Sequence, residues 1–164
     1  MTKQFSVLMV CTGNICRSPT ADGVLRHLVE QQGLAHCILV DSAGIADYHV
    51  GEAPDRRSQE HARKRGYDLS YLRAREVRRS DFVEFDLILA MDQSHLNHLR
   101  RHCPPEQQHK VQLFLSYART DQEREVPDPY YGGSDGFEHV LDLIEDGCEG
   151  VLQQALAHLQ HKSR

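Results

Sequence analysis

The stretch Phe5-Ser6-Val7-Leu8-Met9-Val10-Cys11-Thr12-Gly13-Asn14-Ile15-Cys16-Arg17-Ser18-Pro19 decides how the rest of the chain is read. Residues 5–10 are short, apolar and partly β-branched, the pattern of a buried strand. Ser18 and Pro19 open a helix, with Ser18 as N-cap and Pro19 at the first helical position, where its missing N–H costs nothing. Ala21, Val24, Leu25, Leu28 and Val29 then recur at helical spacing until Gly33. A strand that passes through a tight loop into a helix is the start of a βα unit. It predicts an α/β fold with a parallel sheet.

Working outward, residues 36–40 read as a second strand and residues 55–65 as a polar helix closed by Gly66. Residues 80–85 form a helical turn and residues 86–90 a third strand. A helix over 93–102 takes Asp92 as its N-cap and is broken by Pro104-Pro105. Residues 111–115 are the fourth strand. A polar loop carrying Pro127-Asp128-Pro129 leads into a long amphipathic helix from Phe137 to beyond Leu156, weakened but not ended by Gly147 and Gly150. In open parallel sheets the chemistry lies beyond the carboxyl ends of the strands. It is therefore expected in the loops after Val10, Val40, Ala90 and Leu115.

The chain has 164 residues, 40% of them hydrophobic, which suits a single domain over 1–164. The net charge of −5 argues against a nucleic-acid partner, while leaving room for an anionic substrate held by a local field. No apolar run approaches the ~20 residues of a membrane span, and no signal-peptide pattern follows Lys3. A soluble, cytoplasmic, monomeric protein is expected. The five cysteines, Cys11, Cys16, Cys37, Cys103 and Cys148, form no CxxC pair. A disulfide framework and a cysteine zinc site are therefore not expected, and the histidines of the polar helices read as solvated. These residues offer no metal motif.

The segment Cys11-Thr12-Gly13-Asn14-Ile15-Cys16-Arg17-Ser18 carries the chemistry. A loop of this length at a helix start can turn successive N–H groups inward, making an anion nest reinforced by the helix dipole. Gly13 and Asn14 tolerate the left-handed backbone that such a curl needs. Arg17 can grip two oxygens of a tetrahedral oxyanion with its planar fork. Cys11 would sit at the base as a nucleophile, reacting as the thiolate, which a helix N-terminus and a nearby Arg favour. Ser18 is near enough in sequence to donate to that sulfur. For this composition the Cys-x5-Arg-Ser pattern arises by chance about 0.04 times.

Attack on a phosphate ester must expel an oxygen, and Asp128 is the candidate acid that protonates it and then activates the hydrolytic water. Tyr48, Tyr130 and Tyr131 are candidates to wall a slot for a flat ring. The hydroxyl of Ser42 is expected to bond Asn14 and hold the loop in shape.

With these residues in place, the chain resembles the low-molecular-weight protein tyrosine phosphatases. The resemblance runs through residues 10–19, Val40-Asp41-Ser42-Ala43-Gly44, Ala90-Met91-Asp92 and Asp128-Pro129-Tyr130-Tyr131. It implies a flavodoxin-like three-layer sandwich with four parallel strands in order 2-1-3-4 and helices on both faces. It also implies phosphotyrosine-containing proteins as substrates, a phosphocysteine on Cys11, and no metal or organic cofactor. Arg17 would bind the phosphoryl group, Asp128 would be acid and then base, and inorganic phosphate or other oxyanions would be product or inhibitor. Asn14, Ser18 and Ser42 match the loop-shaping network, and Cys16 matches a second cysteine that can form a reversible disulfide with Cys11. One departure is Tyr71, which stands after Ser70 where tyrosine-directed members often carry histidine.

Three rival readings use the same loop. A protein-arginine phosphatase would replace Ile15 by a small polar residue, whereas Ile15 offers bulk to an aromatic leaving group. A thiol-dependent arsenate reductase would need relay cysteines, and Cys103 and Cys148 are widely spaced. A non-catalytic phosphotyrosine-binding module would normally lack one of Cys11, Arg17 and Asp128.

Overall fold

Four parallel strands form one sheet in the order β2-β1-β3-β4 in the computed structural model, which describes residues 4–120 and 123–162. The chain runs β1 (Phe5–Cys11), α1 (Arg17–Gln31), β2 (Ile38–Gly44), α2 (Arg56–Lys64), α3 (Asp81–Glu84), β3 (Leu87–Ala90), α4 (Gln93–His102), β4 (Val111–Leu113) and α5 (Ser134–Lys162). Two 3-10 turns, Pro105–Lys110 and Phe114–Tyr117, flank β4.

The alternation of side chains along β1 builds the layers. Phe5, Val7, Met9 and Cys11 join the core formed with α1 and α5, while Leu8 and Val10 join Phe82, Phe85, Leu96 and Leu99 on the opposite face. Both faces are covered, as a parallel sheet requires. This is the flavodoxin-like arrangement, with the strand order expected. The same alternation matters for the chemistry, because it turns Cys11 toward the side of the sheet on which α1 packs.

Several boundaries differ from the sequence reading by a few residues, and three of these differences bear on the site or the sheet. First, β2 starts at Ile38 rather than 36, because Cys37 and Ile38 both donate backbone N–H bonds to Leu34 O in a turn. It then runs through Asp41, Ser42 and Ala43 to Gly44, in register with β1 up to Cys11↔Gly44. Second, β4 stops at Leu113, and Phe114 and Leu115 belong to a 3-10 turn. Third, α1 begins at Arg17, with Cys16 as N-cap and no side-chain cap bond. Ser18 is thus inside the helix and not its cap, since its hydroxyl is committed elsewhere.

The glycines of α5 have a packing role that the pattern did not reveal. A Cβ on Gly147 would lie 2.4 Å from the Phe114 ring, and one on Gly150 only 1.6 Å from the Tyr117 carbonyl oxygen. The Phe114–Tyr117 turn therefore presses directly against the α5 backbone. Among the described residues, no helix is long and apolar enough to cross a membrane.

Candidate active site

The loop between β1 and α1 is held open by its neighbours. Ile45 and Ala46 donate backbone N–H bonds to the carbonyls of Cys11 and Thr12, both at 3.0 Å, and Asp55 donates to Ile15 O at 2.7 Å. A Cβ at Gly44 would stand 2.8 Å from Thr12 O, so this close approach needs glycine. Asn14 takes φ +60, the left-handed region, as its residue type allows.

With the carbonyls tied back, the amides are free. Among the described residues, no backbone N–H from Thr12 through Ser18 donates to a protein acceptor. A run of unpaired donors at the start of a helix is the geometry that an anion nest requires.

Asn14 is locked from both ends. Its side-chain oxygen accepts the Arg75 backbone N–H at 3.0 Å, and its amide nitrogen donates to Ser18 Oγ at 2.7 Å. The Arg75 side chain grips Asp41 and Asp81, with Nη2–Asp41 Oδ2 at 3.1 Å and Nη1–Asp81 Oδ2 at 3.0 Å, and so fixes its own backbone. Ser18 Oγ lies 3.0 Å from Cys11 Sγ. Because Ser18 Oγ accepts from Asn14, its one proton points either to the sulfur or to Ala43 O, and the sulfur at 3.0 Å is the nearer of the two, against 3.5 Å.

Ser42 does not join this network. Because β2 continues through it, Ser42 pairs with Met9 and points to the α1 face. There its hydroxyl bonds the buried Asp22, whose pKa is raised by burial against the opposing pull of Arg26. Tyr71 is also outside the network: it is exposed, with the Arg26 guanidinium 5.6 Å from its ring centre. The Asn14 lock is completed by a backbone group of Arg75, so it does not need a histidine near Ser70.

Arg17 is 4% exposed. A buried guanidinium needs a partner, and Asp92 supplies it, with Nη1–Oδ2 at 2.8 Å. Nη1 also donates to Val126 O at 3.0 Å. These bonds leave Nε and Nη2 without a hydrogen-bond partner among the described residues, and Nη2 lies 3.7 Å from Asp128 Oδ2. Burial pushes the Asp92 carboxyl up, but bonds from Ser94 and Arg17 outweigh it, so its pKa is lowered. Asp92 caps α4 as expected, in a capping box with His95. Its second role as the anchor of Arg17 was not visible in the sequence.

The loops surround an open cleft of about 200 Å³ lined by Cys11, Thr12, Gly13, Ile15, Cys16, Arg17, Tyr48, His49, Asp128, Tyr130 and Tyr131. Cys11, Arg17 and Asp128 thus line one cleft. Tyr48 and Tyr131 are 74% and 88% exposed, so they form its outer rim. Tyr130 is more covered, with Arg57 stacked 5.3 Å from its ring centre. His49 was missed by the sequence reading; its ring lies where a Cβ on Gly13 would be, 2.9 Å away.

Cys16 is buried and free, and burial, with Asp55 next in effect, pushes its thiol up to about 12. All five cysteines are free thiols. Among the described residues, no group of three His, Cys, Asp or Glu side chains is arranged to hold a metal ion.

Comparison with known proteins agrees with this geometry. Residues 6–163 match the family model for low molecular weight phosphotyrosine protein phosphatase. A Schizosaccharomyces pombe low molecular weight phosphotyrosine protein phosphatase is 49% identical over 154 residues, covering 93% of this chain and 98% of its own. A crystal structure of an Entamoeba histolytica protein tyrosine phosphatase superposes with a TM-score of 0.90 at 38% identity, covering 94% of this chain and 98% of that one. A Vibrio vulnificus protein in complex with benzylphosphonate superposes with a TM-score of 0.79 at 29% identity, covering 92% and 98%. The chain belongs to the low molecular weight phosphotyrosine protein phosphatase family.

Proposed function

We propose that the protein hydrolyses phosphotyrosine in protein substrates, and aryl phosphates generally, through a phosphocysteine on Cys11. The observation that carries this reading is the placement of Cys11 Sγ, bonded to Ser18 Oγ, in a cleft rimmed by unpaired amides and the free side of the Arg17 fork.

In the first step the Cys11 thiolate attacks phosphorus, and the bond from phosphorus to the phenolic oxygen breaks. Asp128 gives its proton to the departing oxygen. The loop amides and Arg17 hold the equatorial oxygens, whose charge is spread in the transition state. In the second step water attacks the phosphocysteine, Asp128 takes its proton, and Cys11 leaves as thiolate while the Ser18 hydroxyl supports the sulfur. Free phosphate is the product and, with other oxyanions, an inhibitor.

The aromatic rim supports an aryl substrate. Ile15 and the three tyrosines offer apolar surface to a flat ring. The benzylphosphonate bound by the Vibrio vulnificus relative has the shape of a phosphotyrosine head group, an anionic tetrahedron on an aryl-methyl stem. The same proposal includes a cytoplasmic monomer, since five free thiols suit a reducing compartment. It also includes reversible capture of oxidised Cys11 by Cys16. Burial keeps Cys16 protonated, which makes that capture slow.

The test is phosphate release, without added metal, from a phosphotyrosine peptide and a phosphoarginine peptide side by side. Release from phosphotyrosine that vanishes in Cys11→Ser is expected. A preference for phosphoarginine would overturn the substrate assignment, and undiminished release by Cys11→Ser would overturn the mechanism.

A further inference from the structure

His95 is fully buried on α4, yet its ring reaches the phosphate-binding loop: His95 Nε2 lies 2.8 Å from Thr12 Oγ1. Its other nitrogen identifies the proton's position. His95 Nδ1 receives the backbone N–H of Asp92 at 3.2 Å. Asp92 Oδ1 is equally near, but that oxygen already accepts from Ser94 Oγ at 2.6 Å and from the His95 N–H at 3.1 Å. A backbone N–H can only donate, so Nδ1 is the acceptor and the single ring proton of the neutral imidazole sits on Nε2. His95 therefore donates to Thr12. The hydroxyl oxygen of Thr12 is used as an acceptor, and its own hydrogen is left to donate into the cleft that Thr12 lines.

We propose that Thr12 is a phosphoryl-binding residue through its side-chain hydroxyl, and that His95 is the positioning residue that orients it. Three donors then follow one another toward the bound anion: the Asp92 amide to His95, His95 to Thr12, and Thr12 to a phosphoryl oxygen. The Asp92 side chain anchors Arg17 while its backbone N–H holds His95, so one helix cap orients two separate donors onto the substrate. If His95 were reversed, with its proton on Nδ1, the Thr12 hydroxyl would donate backward to Nε2 and present lone pairs to a dianion. The inference rests on the cleft being the oxyanion site proposed above.

The experiment measures how well inorganic phosphate protects Cys11 from alkylation by iodoacetate, together with kcat and KM for an aryl phosphate. The variants are Thr12→Val, His95→Leu, His95→Gln and Thr12→Val with His95→Leu. Thr12→Val keeps the shape and removes only the hydroxyl; it is expected to weaken phosphate protection about tenfold, the size of a hydrogen bond to a charged group. His95→Leu should lose a similar factor and the double variant no more than either alone. His95→Gln, whose amide can still donate, should recover part of the loss. Wild-type protection in Thr12→Val would overturn the role of the hydroxyl. Losses that multiply in the double variant would overturn the action of His95 through Thr12. Because Thr12→Val alters a residue at the cleft surface, it keeps the test valid even if His95→Leu does not fold. Phosphate protection without turnover in the wild type would defeat the proposed activity and leave this inference standing.

Discussion

At the residue scale, the site depends on giving each polar group one available direction. Ser18 receives from Asn14, and Cys11 Sγ at 3.0 Å is a nearer acceptor for its proton than Ala43 O at 3.5 Å. Arg17 spends one nitrogen on Asp92 and Val126 and keeps the rest of its fork. Asp128 is less constrained: it is 42% exposed in its side chain, and its Oδ1 accepts the Tyr130 N–H at 3.0 Å. That exposure suits the proposed role, in which Asp128 exchanges protons with both substrate and water. Asp128→Ala is expected to slow phenyl phosphate hydrolysis by about 10²–10⁴-fold, the usual worth of a positioned acid. The loss should shrink for dinitrophenyl phosphate, whose leaving group needs no proton. An equal loss for both esters, read from kcat/KM, would remove Asp128 from the acid role.

At the element scale, the loop between β1 and α1 is shaped by β2 as much as by β1. The extension of β2 to Gly44 brings its last residues alongside Cys11 and Thr12, and the backbone bonds from Ile45 and Ala46 pull the loop carbonyls away from the cleft. The sequence marks Asp41 to Gly44 as distinctive but gives no sign that they are strand, since Asp, Ser and Gly are poor strand formers. Pairing with the buried β1 overrides that preference. The same holds for α5. By propensity alone, Gly150→Ala should stabilise a helix by about 1 kcal/mol. Here the added Cβ meets the Tyr117 backbone, so the substitution is expected to destabilise by about 1–3 kcal/mol, as overpacking does. Urea unfolding measures the sign directly.

At the scale of the whole molecule, the acid response depends on groups with opposite signs. The His95 pKa is lowered from 6.5 to about 4 by burial first and by Arg17 second, with Asp92 and Asp128 opposing and His98 adding slightly. An unfolded chain therefore takes up a proton at this position that the folded chain refuses. The resulting stability is complete above pH 6.5 and is lost as the pH falls toward 4, by up to about 1.4 kcal/mol per pH unit. Asp92, whose carboxyl is lowered, adds a loss below the ordinary carboxylate range. Asp22 works the other way, because its raised pKa favours the fold as the pH falls. The His95 contribution is isolated by difference: the stability gap between wild type and His95→Gln should narrow steadily between pH 6.5 and 4. A constant gap across that window would show that His95 does not stay neutral in the fold.

The sequence by itself determined the order of strands and helices, and it singled out the loop after β1 and the proline-flanked Asp128 that the fold brings to one cleft. These are local signals: apolar runs, punctuating glycines and prolines, and a Cys-x5-Arg-Ser spacing whose members act within one turn of each other. Tertiary structure alone decided which distant groups complete the site. Asp92 anchors Arg17 from 75 residues away, Arg75 holds Asn14 from 61, and His95 reaches Thr12 from 83. It also sent Ser42 to Asp22 rather than to Asn14, because a side chain in a strand faces the side that its register dictates. Such contacts leave no periodic trace in the chain, since they arise only when the β-sheet brings the ends of its strands together.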